Sequence, residues 1–554
     1  VKCKMKRIAQ AIVGFVVGKR RAQQRGQRFL LLILWLAGTV LIGQTIADWQ
    51  PLQPVEVSLA AERGPVALHY GWIDGREIAA NAWHVDFSTW KPIQACWTAD
   101  GSKDGKLAWQ GLGARELRML FATGPAAGVA SLQVNGQLQK IDLRAAQAGT
   151  LAWSWQPQQR PSVVWGWLAW LVSALLSLGI LRAALCCFAG AGAAQRPGAS
   201  RLWLRRFCLS IAGGALLVVG VNYCVDPLQF FYSAATPFWS TDQRSQNPGL
   251  ARNYVYDTVL LGTSSVENYI PAELDERYGW RTVKLAISGS SLHEQRQILD
   301  VALLTGQVQR VVWALDFMAL GGPADRVEDY FSPYPRYLYD TNPFNDLMYL
   351  FSGTTTADSA AIGLHRLHLR AWHTPQLQLL NNWQTKYVFG EAQLWSSYQR
   401  ILAGDFGQAR LEVLYRPGRY TLKQLQQNFR ANILPVLLSQ PRIEFQLFLP
   451  PYSIPFYHIY WRQDPQVIHD WLQFRLWLTK ELETLPNARL HDFQADERYV
   501  TQYGRYKDFL HYDSDTADEI MARMVRGDVR CKMTAMESNN TRLRKLVQSF
   551  ENNF

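Results

Sequence analysis

Three short stretches carry side chains that could build a nucleophilic site. The first is Leu260-Leu261-Gly262-Thr263-Ser264-Ser265, an apolar run ending in a glycine turn that presents a serine. A serine at the end of a buried strand either caps the next helix or acts as a nucleophile. The second is Ser288-Gly289-Ser290-Ser291, where glycine lets a backbone N–H approach a ligand oxygen, as an oxyanion hole requires. The third is Tyr506-Lys507-Asp508-Phe509-Leu510-His511-Tyr512. Its Asp-x-x-His spacing lets Asp508 orient His511 and leaves the other ring nitrogen to take a proton from a serine. Ser264 fits that role better than its neighbour Ser265, which is the alternative.

The surrounding pattern is one of strands alternating with helices. Strands are predicted at Thr258–Leu261, Thr282–Ile287, Arg310–Leu315, Ile443–Leu449 and Ala488–Phe493. Helices are predicted at Pro271–Tyr278, Leu292–Thr305, 421–438 and 465–484. This alternation implies a parallel sheet with helices on both faces, whose ligand crevice lies at the carboxyl ends of the strands. Residues 226–252 read as irregular, starting at the Asp226-Pro227 break. Residues 320–415, rich in Tyr, Pro and Asn, read as a helical insertion acting as a lid or a partner surface.

Taken together, strand–G-x-S, strand–Gly and a C-terminal D-x-x-H resemble the SGNH (GDSL) hydrolase superfamily over about residues 252–530. YDTVLLGTSSVENY, LAISGSSLHEQ and RYKDFLHY are most similar to its membrane-anchored branch, which includes the alginate O-acetylation and lipoteichoic-acid D-alanylation proteins. The resemblance implies a three-layer flavodoxin-like α/β domain. It also implies Ser264 as nucleophile, His511 as base, Asp508 as its orienter, and the N–H groups of Ser264 and Gly289 as the oxyanion hole. Two positions depart from the pattern. Thr263 replaces the aspartate of G-D-S, and the third block, usually G-x-N-D, reads Ala314-Leu315-Asp316-Phe317. Asp316 stands where an asparagine would donate to the oxyanion, and an ionised carboxylate there would repel it. Losing one such donor costs ~10²–10³ in rate.

Upstream, residues 48–162 read as a small all-β sandwich of seven or eight strands. The Asn135-Gly136 pair joins SLQV to QLQKIDL as a two-residue hairpin. Trp72, Trp83, Trp90 and Trp97 suit either a core or stacking on sugar rings, with a core weighted two to one.

Three apolar windows, Phe29–Ala47, Val163–Leu181 and Phe207–Val225, are long enough to cross a bilayer. Transmembrane helices are expected over 29–47, 163–188 and 207–225. The net charge of +12 is concentrated beside them. Residues 1–28 hold nine Lys and Arg and no acid, and residues 182–206 hold five Arg and no acid. Those fourteen charges exceed the whole excess, so the basic balance signals topology and gives no reason to expect nucleic acid. The positive-inside rule makes 1–28 and 189–206 cytoplasmic and places 48–162 and 226–554 outside. Ile8–Gly18 suits a helix lying in the membrane interface or a disordered basic tail.

Seven scattered cysteines give no disulfide framework or CxxC metal site. Cys186 and Cys187 are candidates for lipidation or buried thiols. His365, His368 and His373 form no clean tetrahedral set. No P-loop or dinucleotide fingerprint occurs, so neither cofactor nor metal is expected.

The function expected from these residues and this resemblance is a membrane-anchored acyltransferase or esterase. It would act on a cell-envelope polysaccharide or glycan, through O-acetylation, at the bacterial inner membrane with its folded domains in the periplasm. Transfer would require an acyl-exporting membrane partner. A catalytically degenerate SGNH-like scaffold or binding subunit is the competing expectation, and it rests on Asp316, the long Tyr/Pro insertion and the three spans.

Overall fold

Five short apolar runs build a parallel sheet in the computed structural model. The model describes residues 53–156 except 74–75, 79–81, 94–95, 104 and 114–115, and residues 199–553 except 235–236, 329–332, 368–375 and 404–417. The strands are β1 (Thr258–Leu261), β2 (Thr282–Lys284), β3 (Arg310–Ala314), β4 (Glu444–Leu449) and β5 (Ala488–Asp492). They lie in the order β2-β1-β3-β4-β5, every pair parallel. All of β1 and nearly all of β3 and β4 is buried, as a sheet covered on both faces requires. The chain leaves β1 for one neighbour and later returns to the other. The crevice of the sheet therefore lies beyond the carboxyl ends of β1 and β3, and Ser264 and Asp316 follow those two ends directly.

The predicted elements recur with small differences. Helix Pro271–Tyr278 keeps its bounds, and Leu292–Leu303 begins with a capping box between Ser291 and Glu294. The helix expected over 421–438 is two, Leu422–Asn432 and Leu434–Ser439, because Pro435 lacks the N–H that would continue the ladder. β2 stops at Lys284, yet Leu285 and Ile287 still donate to Leu260 O and Gly262 O at 2.9 and 3.1 Å.

The segment 226–252 is not irregular throughout, since Gln243–Asn253 is a helix. Hydrophobic periodicity misses it because it is buried through polar groups. Asn247 Nδ2 donates to Ala286 O at 2.9 Å, and the Arg244 guanidinium meets Glu294 at 2.8 Å. Pro248 cannot donate to the Arg244 carbonyl, which instead accepts the Tyr339 hydroxyl at 2.7 Å.

Among the described residues, 53–155 form eleven strands in two sheets, more than the seven or eight expected, because Arg76–Ile78, His84–Val85 and Lys91–Ile93 are very short. The Asn135-Gly136 hairpin is as predicted. Both turn residues have positive φ (47° and 83°), and Val129–Val134 pairs antiparallel with Gln137–Asp142. Trp83, Trp90 and Trp97 are buried, as their reading as core rings expects and against the sugar-stacking alternative; Trp72 is half-buried beside the exposed Tyr70.

Helix Ala199–Val225 contains the expected apolar window Phe207–Val225, with mean hydropathy 1.9 and 6% of that window buried. It is the one helix among the described residues long and apolar enough to cross a membrane. Its C-terminal end is tightly fixed. Asn222 Nδ2 donates to Leu350 O and Thr356 Oγ1 at 2.8 and 2.9 Å. The Tyr232 hydroxyl meets the carbonyls of Tyr223 and Cys224, two acceptors a helix end leaves open. Asp226 accepts the N–H groups of Phe230, Phe231 and Tyr232 and the Tyr349 hydroxyl. The helices expected over 29–47 and 163–188, the basic segment 1–28 and Cys186–Cys187 lie outside the described residues. Among the described residues, Cys96, Cys208, Cys224 and Cys531 stand outside any disulfide, and Cys96 Sγ lies 3.0 Å from His69 Nδ1.

Candidate active site

Gly262 follows β1 directly, and a Cβ there would meet the Ala314 Cβ at 2.9 Å, so glycine is needed for the chain to turn this close to β3. The turn leads into a short helix, Ser264–Val266, whose cap is Thr263: its hydroxyl accepts the Ser265 N–H. Ser264 is thereby spared the capping role and stands half-exposed, whereas Ser265 is buried.

Ser264 Oγ lies 2.7 Å from His511 Nε2. On the far side of the ring, His511 Nδ1 is 2.8 and 2.9 Å from the two Asp508 oxygens. Asp508 Oδ1 also accepts the N–H groups of Leu510 and His511, each at 2.8 Å, which locks the turn that holds both side chains. The three residues singled out by spacing are thus brought together across 247 positions of sequence. All three line one cavity of about 630 Å³, together with Gly289 and Ser290 from the second block. Gly289 has φ +67°, a left-handed conformation that favours glycine. Among the described residues the Ser264 and Gly289 amides donate to no other group.

Asp316 lines the same cavity, with its carboxylate bonded into the turn. Its Oδ2 accepts the Thr263 and Ser265 hydroxyls at 2.8 and 2.9 Å and the Thr263 N–H at 3.3 Å. Its Oδ1 accepts the Tyr452 hydroxyl at 2.8 Å. Both oxygens therefore brace the turn that carries Ser264, and Thr263, Ser265, Asp316 and Tyr452 form one hydrogen-bonded unit. Burial raises the Asp316 carboxyl above the usual range, with the bonds from Thr263, Tyr452 and Ser265 acting against that rise. Asp316→Ala is expected to leave three buried hydroxyl protons without their acceptor and to destabilise the fold by about 3 kcal/mol, read as a lower thermal midpoint. An unchanged midpoint would show that these bonds are not structural.

Two residues around the triad were not legible in the motif. Lys507 Nζ donates to Asp508 Oδ2 at 2.7 Å and lies over the Trp383 ring, 3.6 Å from its centroid. The Trp383 ring stacks on His511 with centroids 4.4 Å apart and planes at 19°. Lys507 was visible as the residue before Asp508, but a lysine beside an aspartate is common on surfaces. Trp383 comes from the insertion, and no local pattern marks it.

Burial alone would raise Asp508, but the His511 ring and the Lys507 ammonium together hold it well below the carboxylate range. Burial pushes the His511 ring below its ordinary value; the Asp508 carboxylate pulls the other way, and Lys507 adds to the fall. A lowered value keeps His511 neutral, hence able to accept a proton, further into acid. The acid limb of the kcat/KM profile should therefore lie below the ordinary histidine value of about 6.5. Lys507→Met removes a cation that disfavours the imidazolium, so the limb should move upward. A limb that stays in place would remove Lys507 from this role.

The second block is held from behind by a buried pair, Glu267 and Lys284, 3.7 Å apart. Glu267 accepts the Ser288 hydroxyl at 3.1 Å and the Gln243 amide, while Gln243 Oε1 accepts the Ser288 N–H at 2.7 Å. The remaining candidates have other partners or no described position. Ser265 is spent on Asp316. His365 packs against Phe238, while His368 and His373 lie outside the described residues.

No protein-family model matches this chain, and no curated protein matches it.

Proposed function

We propose that this chain is a membrane-anchored SGNH-type serine acyltransferase or esterase acting on a cell-envelope polysaccharide or glycan, through O-acetylation. The observation that carries the reading is the line Ser264 Oγ–His511 Nε2, His511 Nδ1–Asp508, at 2.7 and 2.8 Å. In this mechanism Ser264 Oγ attacks the acyl carbonyl while His511 takes its proton and Asp508 stabilises the resulting imidazolium. The Ser264 and Gly289 amides bind the oxyanion. The strand order 2-1-3-4-5 supports the flavodoxin-like arrangement that the resemblance implies.

The scaffold reading rests on Asp316, the Tyr/Pro-rich insertion and the spans; the bonds that Asp316 accepts from Thr263, Ser265 and Tyr452 weaken the first of these three supports. The apolar helix Phe207–Val225 supports the anchor. The proposed topology has crossings over 29–47, 163–188 and 207–225, with the β region as a sandwich and the α/β domain both in the periplasm of a bacterial inner membrane. It calls for an acyl-exporting membrane partner. A fluorophosphonate probe tests the proposal: covalent labelling mapped to Ser264 is expected, and folded protein that takes no label would sink it.

A further inference from the structure

The block that carries Ser264 runs on through Val266 and Glu267 to Asn268, which is 4% exposed and belongs to no part of the triad. Its footing is rigid. The Glu267 N–H donates to Ser264 O and the Tyr269 N–H to Val266 O, each at 3.3 Å, so Asn268 keeps a fixed relation to the nucleophile. The carbonyls on either side of it, those of Glu267 and Tyr269, accept the buried Lys284 ammonium at 2.8 and 3.3 Å.

From that footing the side-chain amide reaches two segments that are distant in sequence. Its Nδ2 donates to Tyr512 O at 2.6 Å, and its Oδ1 accepts the N–H groups of Trp383 and Gln384 at 2.9 and 3.1 Å. The reverse orientation would set an N–H₂ group against two donors and an oxygen against a carbonyl, so the partners decide which end points where. Tyr512 follows His511 in the chain, and the Trp383 ring stacks on the His511 imidazole. One amide thus holds the imidazole twice, through the peptide that carries it and through the ring that covers one of its faces. Asn382 and Ser514 reinforce the two ties, each donating to Asn268 O at 3.3 Å. Two further anchors of the histidine loop lead away from the nucleophile block: Phe509 O accepts the Ser453 hydroxyl at 2.6 Å, and Tyr506 O accepts the Gly390 N–H at 2.9 Å.

We propose that Asn268 is a positioning residue of this site, setting the His511 ring against Ser264 Oγ without touching substrate. This rests on the proposed serine chemistry. The pair it serves is 2.7 Å apart, and a misplacement of about 1 Å between reacting groups costs ~10² in rate. Removing the amide frees one carbonyl and two N–H groups, whose bonds water can take, so the fold persists while the imidazole leaves its line.

The full-length protein in detergent, titrated with a fluorophosphonate probe, tests the proposal. The concentration dependence separates the maximal rate of Ser264 labelling from the half-saturating concentration. Asn268→Ala should lower the maximal rate ~10²-fold and move the half-saturating concentration by less than about threefold. Asn268→Asp, measured at about pH 8 where a carboxyl is ionised, keeps the acceptor for Trp383 and Gln384 but sets an oxygen against Tyr512 O. Its maximal rate should fall as far, and it decides the matter if Asn268→Ala does not fold. Asn540→Ala is the structural control. That buried amide donates to Leu472 O at 2.7 Å and lines no part of the cavity, so its loss should lower the thermal midpoint and leave the maximal rate alone. Folded Asn268 variants that label within about threefold of the unaltered chain, or an Asn540→Ala that slows as much as they do, overturn the positioning role and leave the serine chemistry standing. An unaltered chain that takes no label at Ser264 overturns both.

Discussion

Ser264→Ala should reduce acyl transfer and ester hydrolysis by ~10³-fold or more, while Ser265→Ala keeps most of the activity. The two serines are adjacent, but their hydroxyls face different partners. Ser264 Oγ faces His511 Nε2, and Ser265 Oγ donates to Asp316 inside the turn. Removing the first hydroxyl deletes the atom that would form the ester, and no neighbouring hydroxyl is free to replace it, because those of Ser265 and Thr263 are both bonded to Asp316. Removing the second loosens the turn and lowers stability. Parallel rates and thermal midpoints for the two variants separate these effects. If Ser265→Ala lost as much rate as Ser264→Ala while folded, Ser264 would lose its assignment.

Asp508→Asn should cost a further large factor, ~10³–10⁴ in kcat, with a smaller change in KM. Asp508 receives five hydrogen bonds, from His511 Nδ1 to both oxygens, from two backbone N–H groups and from Lys507. An amide keeps one acceptor oxygen but turns an N–H₂ group toward the remaining donors. The relaxed arrangement has that N–H₂ donate to His511 Nδ1, which moves the ring proton to Nε2. A protonated Nε2 cannot take the Ser264 proton, so the base is lost with the geometry intact. The Lys507 ammonium also loses its counter-charge over Trp383. A fall confined to KM would show that Asp508 serves binding alone.

What the sequence disclosed and what it hid divide along physical lines. The sheet was legible because its strands are continuous apolar runs separated by helices of ordinary length. The triad was legible because each member follows a strand end or a fixed four-residue spacing. The role of Asp316 was hidden. Its type suggested repulsion of an oxyanion, and only the positions of Thr263, Ser265 and Tyr452 show where its oxygens point. Helix Gln243–Asn253 was hidden for the same reason, since its buried face is made of Arg, Gln and Asn satisfied by distant partners. Trp383 lies more than a hundred residues from both Ser264 and His511, so its stacking against the imidazole depends on tertiary structure alone. The number of strands in the β region was undercounted because strands of two or three residues carry too little alternation to register.

The joint at the end of helix Ala199–Val225 has a consequence for folding. Asn222 and Asp226 bond to Leu350, Thr356 and Tyr349, so the last helical turn takes its shape from residues more than a hundred positions downstream. Both residues therefore belong to the cooperative unit of the α/β domain. Loss of either anchor would loosen the entry to that domain together with the turn itself, and the two should melt as one.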